Sequence, residues 1–217
     1  MNCGVKLPLD TKIMSRKVRR GLRKGTYEIE EAEAARDLFL ANDTVLELGA
    51  GIGFMSSYLR KYTGVGRIVA YEADARLIPC IERTHTLNDV TSIEVHNAVV
   101  THSDGSGALP FYIRDEFWAS SLSPNQKGVV NTTSVPTKNW AEVLADIRPT
   151  ALVMDIEGGE VDLLENCDLG SIDRAVIELH PSRGGIIGMA KVYTAIVNQG
   201  FTLIRESADR SVISIRR

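Results

Sequence analysis

The chain has 217 residues, 44% of them hydrophobic and 24% charged, with a net charge of −3. That balance fits one globular domain. No apolar run approaches the roughly 20 residues of a membrane span, and no overall positive charge argues for nucleic acid as partner. Cys3, Cys80 and Cys167 are far apart and odd in number, which excludes a disulfide framework or a paired metal-ligand pattern. The opening MNCGVKLPLD is not followed by an apolar signal core, so a reducing, cytoplasmic setting is expected.

Residues 1–24 carry eight basic side chains, Lys6, Lys12, Arg16, Lys17, Arg19, Arg20, Arg23 and Lys24, against the single acid Asp10. This reads as a solvated N-terminal arm, residues 1–26, or a helix face; a clamp for an acidic substrate is the alternative. No aromatic stacking motif accompanies it, so nucleic acid is not an expected partner. Residues 28–40 have helical periodicity, with Ile29, Ala32, Ala35, Leu38 and Phe39 on one side. After the Asn42-Asp43 turn, the pattern predicts a strand over 44–48, a helix over 52–62, a strand over 67–72, a helix over 75–88 and a strand over 93–99. Pro79 is tolerated only in the first turn of its helix.

Residues 101–137 are rich in Ser, Gly, Asn, Thr and Pro, with Phe111, Tyr112, Phe117 and Trp118 embedded. So long a stretch without periodicity predicts a functional loop or hairpin, not a linker. A helix follows over 139–147, then a strand over 151–156, a short helix over 161–166, a strand over 175–179 and a helix over 189–199. Residues 201–205 and 211–215 pair as a terminal hairpin around Ala208-Asp209. Strands alternating with helices mean crossover units, so the fold class is α/β: one domain over 1–217, a mostly parallel sheet with helices on both faces. Ligands of such sheets bind outside the carboxyl ends of the strands.

Two stretches carry the chemistry. In VLELGAGIGF, Gly49, Gly51 and Gly53 follow a strand and precede a helix, where glycines allow a tight turn and close approach of a ligand. Glu47 sits two residues before the first glycine, where it would face a pyrophosphate unfavourably but a cationic amino-acid end favourably. Glu72, in VAYEAD, ends the next strand, placed to accept hydrogen bonds from two ribose hydroxyls; Asp74 is its rival. In LVMDIEGGEVDLL an apolar strand runs straight into Asp155, Glu157 and Glu160.

Together these marks resemble a class I S-adenosylmethionine-dependent methyltransferase, and more narrowly the FkbM family. The resemblance covers residues 27–217 through VLELGAGIGF, VAYEAD, VHNAVV, VPTKNWAEVL, LVMDIEGGEVDLL and AVIELHP; the D-x-E-G-x-E element, Asp155 to Glu160, is its most specific part. Many members carry Asp at the position of Glu47. The resemblance implies a Rossmann-like seven-stranded sheet with an antiparallel last strand. It implies S-adenosylmethionine as cofactor, held at its methionine end by Glu47 and the turn Gly49, Ala50, Gly51 and Gly53. Glu72 and Ala73 would lie at the ribose, and Asn97 and Ala98 at the adenine; Tyr27 and Glu28 would close over it. Residues 101–137 would then build an acceptor pocket, with Phe117 and Trp118 as stacking platform or core anchors and Ser120 and Ser121 as hydroxyl donors.

Methyl transfer from a sulfonium is an in-line displacement, and a hydroxyl nucleophile must lose its proton. Asp155 and Glu157, two residues apart, point the same way on an extended backbone, and Glu178 and His180 repeat that spacing one strand later. These four are the catalytic candidates. Glu160 and Asp162 suit a helix N-terminus instead. Asp, Glu and His suit a divalent ion, but the spacing matches no dedicated signature, so general-base use is expected and no metal is. The expected function is O-methylation of a sugar, glycan or small natural product. An NAD-type oxidoreductase and a non-catalytic module of the same fold are the alternatives.

Overall fold

The computed structural model describes residues 1–11, 13–104, 107–124 and 127–217. The elements, in chain order, are α1 (Arg16–Lys24), α2 (Ile29–Leu38), β1 (Thr44–Leu48), α3 (Phe54–Tyr62), β2 (Arg67–Glu72), α4 (Ile78–Leu87), β3 (Ile93–Asn97), β4 (Val99–Thr101) and β5 (Ala108–Arg114). They continue with β6 (Val129–Asn139), α5 (Trp140–Ile147), β7 (Ala151–Met154), α6 (Glu160–Asn166), β8 (Arg174–Glu178), α7 (Pro181–Asn198), β9 (Thr202–Glu206) and β10 (Val212–Arg216).

Seven strands form one sheet in the order β3-β2-β1-β7-β8-β10-β9. β1, β2, β3, β7 and β8 are mutually parallel, and β10 runs antiparallel to both its neighbours. Period-2 alternation divides the core in two, because adjacent strand residues face opposite sides. Val45, Val153 and Val176 face Val18, Ala32, Ala35 and Leu59 of α1, α2 and α3. Leu46, Leu152 and Ile177 face Trp140, Leu164 and Val192 of α5, α6 and α7. Helices therefore cover both faces.

The chain winds outward from β1 to β3 and then returns to pair β7 against β1, so the strand order reverses between them. Ligand sites of open α/β sheets lie at this switch point. Register aligns the strand ends there: Leu48 pairs Met154, and Met154 pairs Ile177. The residues that follow, Gly49, Asp155 and Glu178, emerge side by side. Gly49 has φ +84°, and a Cβ on it would lie 1.7 Å from the carbonyl oxygen of Asp155. Only glycine lets the β1 turn pass so close to the β7 tip.

Two segments differ from expectation, and two settle between expected alternatives. The basic N-terminal run is not a free arm: Ser15 caps α1, accepting from Val18 N at 3.2 Å, and Met14, Val18 and Leu22 are buried. Arg16, Arg20, Arg23 and Lys24 stay exposed; Lys12 lies outside the described residues. The strand expected over 93–99 breaks at Ala98, because Val99–Thr101 leaves the main sheet to pair in parallel with β6. The 101–137 segment is largely a hairpin, β5 against β6, around a 3-10 turn at Phe117–Ala119. The last long helix begins at Pro181, eight residues before the expected 189, with a break at Gly185 (φ 63°, ψ −176°).

Candidate active site

One cleft opens over the switch point, enclosing about 990 Å³ with its mouth. Its floor is the glycine turn and the β2 tip: Gly49, Gly51, Glu72, Ala73 and Ala98 line it. The main chain holds this half rigidly. Gly49 N and Ala50 N both donate to Tyr71 O, at 2.9 and 3.1 Å. Glu72 accepts from Gly51 N and from Asp74 N, each at 2.7 Å, one on either carboxylate oxygen. Asn97 Nδ2 donates to the carbonyls of Glu72 and Ala73 at 2.9 and 3.0 Å, bracing the tip from behind. Asp74 is occupied by Arg76, whose Nε lies 2.9 Å from it.

Glu47, Ala50, Gly53 and Asn97 stand behind this wall rather than on it. Gly53 caps α3, and a Cβ there would meet Ile81 at 3.1 Å, so its glycine serves helix packing. Glu47 is 1% exposed. Its Oε1 accepts from Ser56 N at 3.2 Å, in the first turn of α3, while Oε2 is buried with no partner among the described residues. Burial, with Glu72 adding to it, raises the Glu47 carboxyl to about 8. Burial likewise raises Glu72 to about 7.

Asp155 and Glu157 line the opposite wall. Glu178 and His180 lie one layer behind them, joined by Glu31, Glu160 and Arg183. His180 Nδ1 donates to Glu160 Oε1 at 2.7 Å, and that oxygen also accepts from Gly158 N at 3.0 Å. His180 Nε2 lies 3.4 Å from Glu157 and 3.8 Å from Asp155 Oδ1. Arg183 pairs with the Glu157 carboxylate and also donates to its carbonyl at 2.6 Å. Burial raises Asp155, with Glu157 adding like-charge repulsion. Burial raises Glu178 too, with Asp155 and Glu31 adding to it. Burial opposes charge on His180, but Glu157 and Glu160 outweigh it and raise the ring well above the usual imidazole range. Asp155 Oδ1 and Glu160 Oε2 are buried without hydrogen-bond partners among the described residues.

Tyr27 and Glu28 also line the cleft. Asn2 fixes Tyr27 by two bonds, accepting from its N–H at 2.9 Å and donating to its carbonyl at 2.6 Å. Phe117 is both core anchor and cleft wall, stacked edge-on against Trp118 at 5.4 Å. Ser120 and Ser121 line the cleft, but Arg114 already engages their hydroxyls: its N–H donates to Ser120 Oγ at 3.0 Å and its Nη1 to Ser121 Oγ at 3.1 Å.

Sequence reasoning missed Glu31 and Arg183. Glu31 has the spacing of a surface acid, and only the packing of α2 over β8 brings it to Glu178. Arg183 sits in the unexpected first turn of α7.

A family model described as the Methyltransferase FkbM domain matches residues 47–203. The chain belongs to this FkbM methyltransferase family. Within it lie both walls of the cleft, from Glu47 through His180 and Arg183. "Methyltransferase 1" of Beauveria bassiana (strain ARSEF 2860) is 24% identical over 188 residues, 76% of this FkbM chain and 74% of that protein. Among solved structures, the ribosomal protein L11 methylase of Lactobacillus delbrueckii subsp. bulgaricus superposes with a TM-score of 0.55 at 15% identity, covering 88% of this chain and 79% of that one. Precorrin-6y C5,15-methyltransferase of Geobacter metallireducens GS-15 gives 0.51 at 10% identity, covering 96% and 90%. At such identities the likeness is one of fold, the class I methyltransferase sheet.

Proposed function

We propose that the protein is an S-adenosylmethionine-dependent O-methyltransferase acting on a hydroxyl of a sugar, glycan or small natural product. The observation that carries this reading is the shared cleft: Glu72 and the glycine turn form one wall, and the acids at the β7 and β8 tips form the other. The residues fit the cofactor. Each Glu72 oxygen accepts one backbone N–H and retains a lone pair for a ribose hydroxyl. Ala73, Leu77 and Ala98 give an apolar bed for the adenine. Glu47, behind the turn with a buried oxygen that has no hydrogen-bond partner among the described residues, suits a cationic amino-acid end better than a dinucleotide phosphate.

When bound, S-adenosylmethionine supplies an electrophilic methyl group. The chain supplies position and a proton acceptor. Phe117 and Trp118 exclude water and offer a flat apolar face to the acceptor. Asp155 is the catalytic candidate that both lines the cleft and keeps 29% of its side chain exposed, so it takes the hydroxyl proton. Glu178 and His180, set behind it, are positioning residues. The test is a labelled-methyl transfer screen against glycans and small metabolites. O-methylated products support the reading, and exclusively N- or C-methylated products refute it. Calorimetry should show heat with S-adenosylmethionine and none with NAD.

A further inference from the structure

We propose that Asp155, Glu178 and His180 bind a divalent cation, with Glu160 orienting the histidine. The three ligand atoms, one from each side chain, lie within 4.8 Å of one another. They come from adjacent strand tips whose register is fixed by the Met154–Ile177 pair, so the sheet itself sets the spacing. Two oxygens and one imidazole nitrogen suit Mn²⁺ and similar first-row ions better than Ca²⁺, which takes an all-oxygen shell.

The imidazole is arranged as a ligand. Metal-bound histidines commonly donate their second ring N–H to a carboxylate, which fixes the tautomer. His180 does this through Nδ1 to Glu160 Oε1 at 2.7 Å, and Glu160 is 1% exposed. Its Nε2 has only the longer contacts to Glu157 and Asp155, at 3.4 and 3.8 Å, and so faces the acids without a short bond.

Unpaired atoms in the same place point to an occupant. Asp155 Oδ1, the oxygen facing Nε2, is buried without a hydrogen-bond partner among the described residues, and so is Oε2 of the almost fully buried Glu160. Charge is also unbalanced. Glu31, Asp155, Glu157, Glu160 and Glu178 crowd against His180 and Arg183, with Arg114 as a further cation near Glu157, and Arg183 is already held by Glu157. Burying that many carboxylates without compensation is costly, and a dication offsets it. A cation here would also reach the cleft through Asp155, where it would favour the ionised form of a hydroxyl.

Binding is measurable without the methyl-transfer reaction, so it stands or falls separately from the O-methyl reading. The full chain is stripped with EDTA, desalted and titrated with Mn²⁺, with free ion followed by electron paramagnetic resonance. One Mn²⁺ per chain is expected. Electron spin-echo modulation of the bound ion should show coupling to a single imidazole ¹⁴N, a result that needs no variant. Glu178→Gln and Asp155→Asn, checked for folding by circular dichroism, should each weaken binding by about tenfold or more, and Glu160→Gln by about tenfold. Glu165→Gln, on the exposed face of α6, should leave it unchanged. No Mn²⁺, Mg²⁺ or Zn²⁺ uptake at millimolar concentration would overturn the proposal. So would bound Mn²⁺ without ¹⁴N coupling, or binding that the Glu178 and Asp155 variants leave intact.

Discussion

The two ends of β7 and β8 hold buried acids in opposite ways. At the amino ends, Asp43 is 4% exposed and both its oxygens are bonded: Arg174 Nη1 lies 3.2 Å away, Thr150 Oγ1 donates at 2.7 Å and Leu40 N at 2.7 Å, with only the Nε of Arg174 left without a partner among the described residues. At the carboxyl ends, four residues further along each strand, Asp155 and Glu178 face one another and Glu31, and Asp155 keeps an oxygen without a hydrogen-bond partner among the described residues. The first arrangement is what stability asks of a buried charge; the second costs stability and is kept where a ligand is to be met. The same strands thus set a fully bonded carboxylate against a partly unbonded one, and substitution at each end should separate stability from activity.

The largest effect should come where the two walls touch. In Gly49→Ala the new Cβ meets the Asp155 carbonyl, at a backbone φ that side chains resist. A loss of about 4 kcal/mol, or failure to fold, is expected in chemical denaturation. Asp43→Ala strands a buried Arg174 and should cost about 3 kcal/mol, with turnover per folded molecule unchanged. Asp155→Asn should do the reverse: stability holds or rises, cofactor binding by calorimetry persists, and methyl transfer falls by about 100-fold. Equal loss of stability in the two Asp variants would erase the distinction between the ends.

The smallest effect is in pH dependence. Glu47 and Glu72 have folded values of about 8 and about 7, above their ordinary 4.5. Groups raised on folding contribute stability that is full below the unfolded value and lost as pH rises through the folded one. His85, lowered by burial to about 4, works the other way, but only below its ordinary 6.5. Between pH 6.5 and 8 the ligand-free protein should therefore melt at progressively lower temperature. Glu47→Gln should flatten that slope; a melting point that rises over this window would contradict the assignment.

What was legible in the sequence follows the same divide. The glycine wall is local: strand, turn and acid lie within residues 44–74, its hydrogen bonds run to the main chain, and a short motif announces it. The acid wall is assembled from α2, β7, α6, β8 and α7. Asp155, Glu157, Glu178 and His180 were legible because strand ends have a readable period. Glu31 and Arg183 were not, because one hides in an ordinary amphipathic helix and the other in a Pro- and Gly-rich turn that argues against helix. The early start of α7 is paid for by the break at Gly185. The first residue of β4 falls in the strand expected over 93–99 because its partner stretch in β6, Thr137–Asn139, lies 38 residues on in sequence. In α1 the density of charge concealed the apolar side formed by Val18 and Leu22.

The most direct measurement is a crystal structure of the protein with S-adenosylhomocysteine. The ribose should rest on Glu72, with the sulfur turned across the cleft toward Asp155. A nucleoside seated away from Glu72, or an Asp155 carboxylate turned out to solvent in that complex, would contradict the account.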